Sequence, residues 1–210
     1  MVHIVGARVL SDTILPTRTW PPECCVPAFL HAAMVVRDVA VAVPDVLPSI
    51  LGVHVRPDQD NPLGLALADQ RYPPGIRAAD AEREINRLFA KLELPLRCRR
   101  VPFLEIGLGL WEDVLDAALA KGVVVGLGVD FGVLIQRTMP RSAQHILRVL
   151  ARNGDHLEVI DDSGETTPAH YSVTTDRASR AVLVIPDGFW MIGAEQDLQL
   201  PFTSPWGASQ

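Results

Sequence analysis

The sequence predicts an α+β fold in one domain spanning 1–210, with a helical part at about 20–120 and an antiparallel sheet at about 121–200. Three observations carry this. Helical periodicity is concentrated before residue 120. After it, short valine- and isoleucine-rich runs alternate with turn residues such as Asn153-Gly154 and Asp187-Gly188. Hydrophobic residues make up 48% and charged residues 21%, a balance that excludes wholesale disorder, collagen and a disulfide scaffold. A chain of 210 residues buries enough surface for a core without a disulfide or metal.

Taken in order, Ile4 to Leu15 reads as a short strand, followed by a loop with Pro16, Pro21 and Pro22. From Cys24 to about Val36 the chain turns apolar. Ala28, Phe29, Ala32, Ala33 and Val36 recur at helical spacing, and Pro27 is compatible with a first turn, where N–H groups are unpaired. Leu47 to Leu51 is a short helix with Pro48 in its first turn and Gly52 at its end. Pro57 to Gly75 reads as a long loop of the kind that is functional or disordered. Ala78 to Leu92 is amphipathic through Ile85, Leu88, Phe89 and Leu92. Leu94 to Phe103 is a strand that Pro95 and Pro102 confine to a sheet edge. Leu110 to Ala120 is a helix stopped at Gly122. Val123 to Val129 reads as a buried strand. His145 to Ala151, His156 to Asp161, Ala181 to Pro186 and Phe189 to Ile192 read as further strands, with a hairpin centred on Asn153-Gly154.

The net charge is −6, and the one tight basic cluster is Arg97, Arg99 and Arg100. That is not the basic stripe that counterion release on nucleic acid requires, so no nucleic-acid partner is expected. Lys91 and Lys121 are the only lysines. With the abundance of Ala, Val, Leu, Gly and Pro, this reads as the codon bias of a GC-rich bacterial genome. The N-terminus lacks a basic region ahead of an apolar core, so no signal peptide is expected. The apolar run Gly122 to Ile135 is interrupted by Asp130 and too short for a membrane helix. Three cysteines do not make a disulfide framework. The expectation is a soluble, cytoplasmic protein with free thiols.

Two elements carry chemistry. In ECCVPAFLHAAM, Cys24 and Cys25 stand where a loop meets a helix. The positive end of the helix dipole lowers a thiol pKa there and suits a nucleophile; the alternative is a small buried hydrophobe. In QHILRVLARNGDHLEVIDDSGE, His145 opens one strand and Asp161-Asp162 close the next. Residue 153 is equidistant from 145 and 161, so folding over the turn brings a carboxylate to the imidazole, where it fixes the tautomer and stabilises the cation.

These residues resemble a family. Cys25-Val26-Pro27-Ala28 ahead of an apolar helix is similar to the Cys-Gly-Pro-Ala helix start of bacteriocin-processing, papain-fold cysteine peptidases. WEDVLDAALAKGVVVGLGVD, then His145 and a hairpin ending in Asp161, resembles that family's second half. VGLGVDFGVL is also similar to butirosin-type acyltransferases, which move an acyl group from a carrier protein to an amine. His145 follows Cys25 by 120 residues and Asp161 follows His145 by 16, the papain-like order of Cys, His, then Asn or Asp.

The resemblance spans Thr19 to Ser163 and implies a papain-like cysteine-protease fold. It implies Cys25 as nucleophile, His145 as base and Asp161 as orienting group, with Cys24 and Asp162 in support. Such an enzyme hydrolyses or transfers an acyl or peptidyl group, free or on a carrier protein, in bacterial natural-product or peptide biosynthesis, with no cofactor. The family's glutamine ahead of the cysteine is absent: no Gln occurs between Met1 and Cys25, leaving Thr19 as the substitute oxyanion donor. Glu23 stands where it opposes thiolate formation.

Several alternatives stand beside this. A degenerate papain-fold module would bind a peptide or carrier protein without chemistry. An assembly protein would use its apolar C-terminal segment, with Trp190, Phe202 and Trp206, to cover a partner. A metal on Cys24, Cys25 and His145 lacks the usual ligand spacing, so none is expected. Asp130 is either a helix cap or a substrate contact, and Asn61, in Asn61-Pro62-Leu63-Gly64, either shapes a substrate cleft or makes a turn. Cys98 reads as a strand residue without a role. The oligomeric state is not legible.

Overall fold

A computed structural model describes residues 20–21, 23–41, 43–106, 110–136, 144–164, 170–183 and 188–199. The elements run α1 (Cys25–Val36), α2 (Leu47–Leu51), β1 (His54–Val55), β2 (Ala66–Leu67), α3 (Ala78–Lys91), β3 (Arg97–Val101), α4 (Phe103–Ile106), α5 (Trp111–Ala120), β4 (Val124–Asp130), α6 (Phe131–Ile135), β5 (Gln144–Asn153), β6 (His156–Ile160), β7 (His170–Thr174), α7 (Thr175–Leu183) and β8 (Phe189–Gly193). The expected strand at Ile4 to Leu15 lies outside the described residues.

Six strands form one antiparallel sheet in the order β3-β8-β4-β5-β6-β7. Its two faces are both buried. Along β8, Trp190 and Ile192 join a core with Phe29 and Leu30 of α1, Leu47 and Leu51 of α2, and Ile85 and Phe89 of α3. Phe189 and Met191 join a second core with Trp111 and Leu115 of α5, Leu134 of α6 and Val182 of α7. Strands covered on both faces read as near-continuous apolar runs, and β4, buried at all seven positions, is valine, leucine or glycine up to Asp130.

The helices therefore flank the sheet on both sides rather than preceding it. β3, from the first half of the chain, completes one edge, as Pro95 and Pro102 predict. Two helices, α6 and α7, belong to the second half. The expected strand at Ala181 to Pro186 is corrected in part: residues 181–183 end α7, while 184–187 lie outside the described residues. A short apolar run does not distinguish strand from helix. Here Ala178, Ala181 and Val182 are buried at helical spacing. β7 carries no strong strand signal in its sequence.

Glycine allows α1 to reach the sheet. A Cβ on Gly126 of β4 would lie 2.9 Å from both Ile146 Cγ2 and Phe29 Cε2. At Gly188, with φ +66°, a Cβ would lie 2.1 Å from the Val101 carbonyl oxygen, so no side chain fits. Gly126→Ala is expected to destabilise by about 1–3 kcal/mol through overpacking. Each kcal/mol lowers Tm by about 2–4 °C in a chain of this size, which calorimetry reads directly. Among the described residues, no helix is long and apolar enough to cross a membrane.

Candidate functional site

Cys25 is the first residue of α1 and half-buried. No side chain caps this helix, and its first turn holds no acidic residue, so the positive end of the dipole meets the thiol without a carboxylate in that turn to offset it. Cys24 is the N-cap residue and is fully buried. Its carbonyl accepts from the Ala28 N–H at 3.0 Å, closing the first turn.

His145 lies near the start of β5, beside Val129 of β4 in register, and is buried. Its Nε2 is 3.0 Å from Asp161 Oδ1, and the Cys25 side chain lies close enough to act on the ring electrostatically. With Nε2 engaged by the carboxylate, Nδ1 is the nitrogen left for the thiol. Phe131, opening α6, packs its ring 5.3 Å from the imidazole at 57°.

The hairpin brings His145 and Asp161 together by a different register from the symmetric one. Asn153 pairs with His156, so the turn residues are Gly154-Asp155. The register shifts between Val149 and Ala151, at Leu150. Arg148 then pairs with Ile160, and Asp161 lies just beyond the end of β6, reaching diagonally to the ring rather than facing it. A bulge changes the register by one residue, and midpoint arithmetic on the sequence does not register it.

Burial works against charge on His145, but the Asp161 carboxylate that accepts from the ring, together with the Cys25 side chain, outweighs it and raises the imidazole to about 10. Burial likewise opposes the Asp161 carboxylate, yet the His145 ring and the Ser163 hydroxyl and N–H hold it well below the usual range. The sign for stability follows from both shifts. Asp161 stabilises the fold above its ordinary value of about 3.9, and this is lost as pH falls. His145 stabilises fully below about 6.5, and this is lost as pH rises through about 10. The excess stability of the native protein over His145→Gln is therefore expected to peak between about pH 4 and 6.5. Urea unfolding across pH measures it.

Ser163 was not legible as a site residue. Its N–H and hydroxyl both donate to Asp161 Oδ1, at 3.0 and 2.6 Å. Its carbonyl accepts from the Trp20 N–H at 3.1 Å, which ties the segment ahead of Cys25 to the Asp161 turn. The available signal was a carboxylate followed two residues on by serine, the spacing of an Asx turn. Arg148 was missed as well. It makes a bidentate pair with Asp162 at 2.8 and 2.9 Å, and both side chains are buried. Burial pushes the Asp162 carboxyl up, and Arg148 acts against that. Asp162 thus holds the turn to β5 without touching the thiol–imidazole pair directly.

The other residues singled out in the sequence are placed as follows. Glu23, in a left-handed conformation at φ +70°, is bound by Arg56 at 2.6 Å, so its charge beside the thiol is compensated. Asp130 accepts from the Val133 N–H at 3.0 Å and caps α6, which sets Phe131 against His145. Asn61 bonds the Leu65 N–H and carbonyl, each at 2.8 Å, and so makes a turn. Cys98 is buried in β3 and its thiol is pushed up by that burial. Trp190 is buried inside its own chain, in β8, which removes it from any partner-covering surface; Phe202 and Trp206 lie outside the described residues. Thr19 also lies outside them.

A thiol, an imidazole and a carboxylate in series are the groups needed to generate a sulfur nucleophile and hold the proton it releases. The chain has the fold of a putative C39-like peptidase from Bacillus anthracis. The likeness has a TM-score of 0.52 and covers 85% of this chain and 91% of that one, at 10% sequence identity. It shows that the two chains share a fold. No protein-family model matches the sequence, and no curated protein is significantly similar to it.

Proposed function

We propose that this chain is a papain-like, cysteine-dependent enzyme that forms a thioester on Cys25 and passes the acyl or peptidyl group to water or an amine. The observation that carries the reading is the buried His145–Asp161 hydrogen bond, with Cys25 at the start of α1 acting on the same ring. His145, raised to about 10, holds the proton given up by the thiol, and the sulfur attacks the carbonyl carbon. The bond to the leaving group breaks, and that group takes the proton from His145. Water or an amine, deprotonated by His145, then attacks the thioester, and the Cys25 sulfur leaves and is reprotonated. Asp161 orients the ring and stabilises its cation throughout. The N–H groups at the start of α1 are donors for the oxyanion, a role in which Thr19 serves as an additional candidate. A carrier-bound acyl chain or a peptide in bacterial biosynthesis fits this chemistry.

The test is covalent. Incubated with p-nitrophenyl acetate, the native protein is expected to release a burst of about one nitrophenolate per chain and gain one acetyl group. Peptide mapping by mass spectrometry should place it on Cys25. An acetyl group on Cys24, or no burst, contradicts the reading.

A further inference from the structure

The His145 imidazole carries its charge with almost no water around it. Its side chain is 5% exposed and that of Asp161 is 0% exposed. A buried cation needs neighbours that replace its hydration. Asp161 Oδ1 meets Nε2 at 3.0 Å, and Cys25 acts on the ring from α1. A hydrogen bond at one nitrogen fixes that atom but not the tilt of the ring about it. Phe131 supplies a contact that does. Its ring centroid lies 5.3 Å from that of the imidazole, at 57°. This is a tilted pairing at a separation where an aromatic face attracts a cation.

The backbone holds Phe131 in that place. β4 pairs with β5 so that Val129 lies beside His145 and Asp130 beside Gln144. Asp130 then caps α6 by accepting from the Val133 N–H at 3.0 Å. The helix is five residues long and ends at Gln136, in a left-handed conformation at φ +56°. Phe131 is half-buried, although Gly132 and Leu134 of the same helix are buried. Phe29, Phe89, Phe103 and Phe189 are all buried, so Phe131 is the phenylalanine, among the described residues, that core packing does not enclose.

We propose that Phe131 is a positioning residue for the general base, its ring face holding the His145 imidazolium between Asp161 and Cys25 and favouring the charged form. This role rests on the reading of His145 as the base for Cys25; the effect of the ring on the imidazolium does not. Other titratable groups surround the imidazole. They are Cys25 on α1, Asp130 ahead of α6, Asp161 beyond β6, Asp162 paired with Arg148, and Tyr171 on β7, whose phenol feels the Asp161 charge. Replacing Phe131 leaves all of them in place, so a change in the titration of the imidazole reports the ring.

Two measurements test it. NMR of the His145 ring nitrogens across pH is expected to place their titration lower in Phe131→Leu than in the native protein. The displacement should be about half to one pH unit, roughly a threefold to tenfold loss of proton affinity. Leucine keeps an apolar contact but has no π face. Phe131→Tyr should restore the native titration, and Val133→Ala, at an exposed position of α6, should leave it unchanged. At Cys25, the ratio of iodoacetate to iodoacetamide alkylation should fall with rising pH as the cation is lost, because the anionic reagent is drawn to it. That fall should come at lower pH in Phe131→Leu. An unchanged titration in Phe131→Leu overturns the role. So does one displaced upward, as a ring edge turned to the imidazole would produce. A lower titration with an unchanged alkylation profile overturns its bearing on Cys25. If the titration moves but p-nitrophenyl acetate gives no burst, the thioester reading falls and the effect of the ring on the imidazolium stands.

Discussion

Cys25→Ala is expected to abolish the acyl adduct completely, and His145→Ala to slow its formation by about 10²–10⁴-fold, the usual contribution of a positioned general base. The reasoning runs through the hydrogen bonds. His145 has one ring nitrogen on Asp161 and is acted on electrostatically by Cys25, which places it to hold the thiol proton. Asp161→Asn retains a hydrogen-bonding side chain but removes the charge that stabilises the imidazolium. It should therefore lower the rate less than His145→Ala does, and shift its pH profile as well. Ser163→Ala should produce a smaller shift of the same kind, since Ser163 acts on the ring only through Asp161. Stopped-flow measurement of the nitrophenolate burst across pH distinguishes the four variants.

Arg148→Ala is expected to destabilise the protein by about 3–5 kcal/mol, because it leaves the Asp162 carboxylate buried without its partner. Both side chains of the pair are nearly inaccessible, at 2% and 6%, so water does not replace the lost contacts. Burial already pushes the Asp162 carboxyl up. The deficit should shrink as pH falls, since protonating Asp162 removes the unpaired charge. Arg148→Met combined with Asp162→Leu should recover most of the stability. Urea unfolding of the single and double variants reads this as a difference in midpoint at constant slope. The same pair anchors the turn that carries Asp161, so Arg148→Ala should also depress acylation at temperatures where the variant remains folded.

The helix bearing Cys25 was legible because an unbroken apolar helix behind a loop is a local pattern: α1 begins at Cys25. The edge position of β3 was legible from prolines, which cannot donate in a ladder. The partnership of His145 with Asp161 was visible as the two ends of a hairpin, though its register was not. The register shifts at Leu150, four residues before the turn, and no residue type in the turn marks it. α7 was misread at its end because Ala181-Val182-Leu183 is apolar at both helix and strand periods. Ser163, Arg148 and Arg56 were missed for a common reason. Each acts through a partner distant in sequence or through a turn, and polar residues reveal their role only once burial requires them to be satisfied. The compensation of Glu23 by Arg56 is a contact across 33 residues, with no counterpart in local sequence.

The central claim is that Cys25 is the activated thiol. Iodoacetamide alkylation, followed by mass spectrometry for each cysteine across pH, tests it most directly. Cys24 is fully buried, and Cys98 is buried with its thiol pushed up, so both should react slowly. Cys25 is half-buried beside His145 and should react fastest, with His145→Ala removing most of that advantage. Fast reaction at Cys24, or equally slow reaction at all three thiols, would contradict the account.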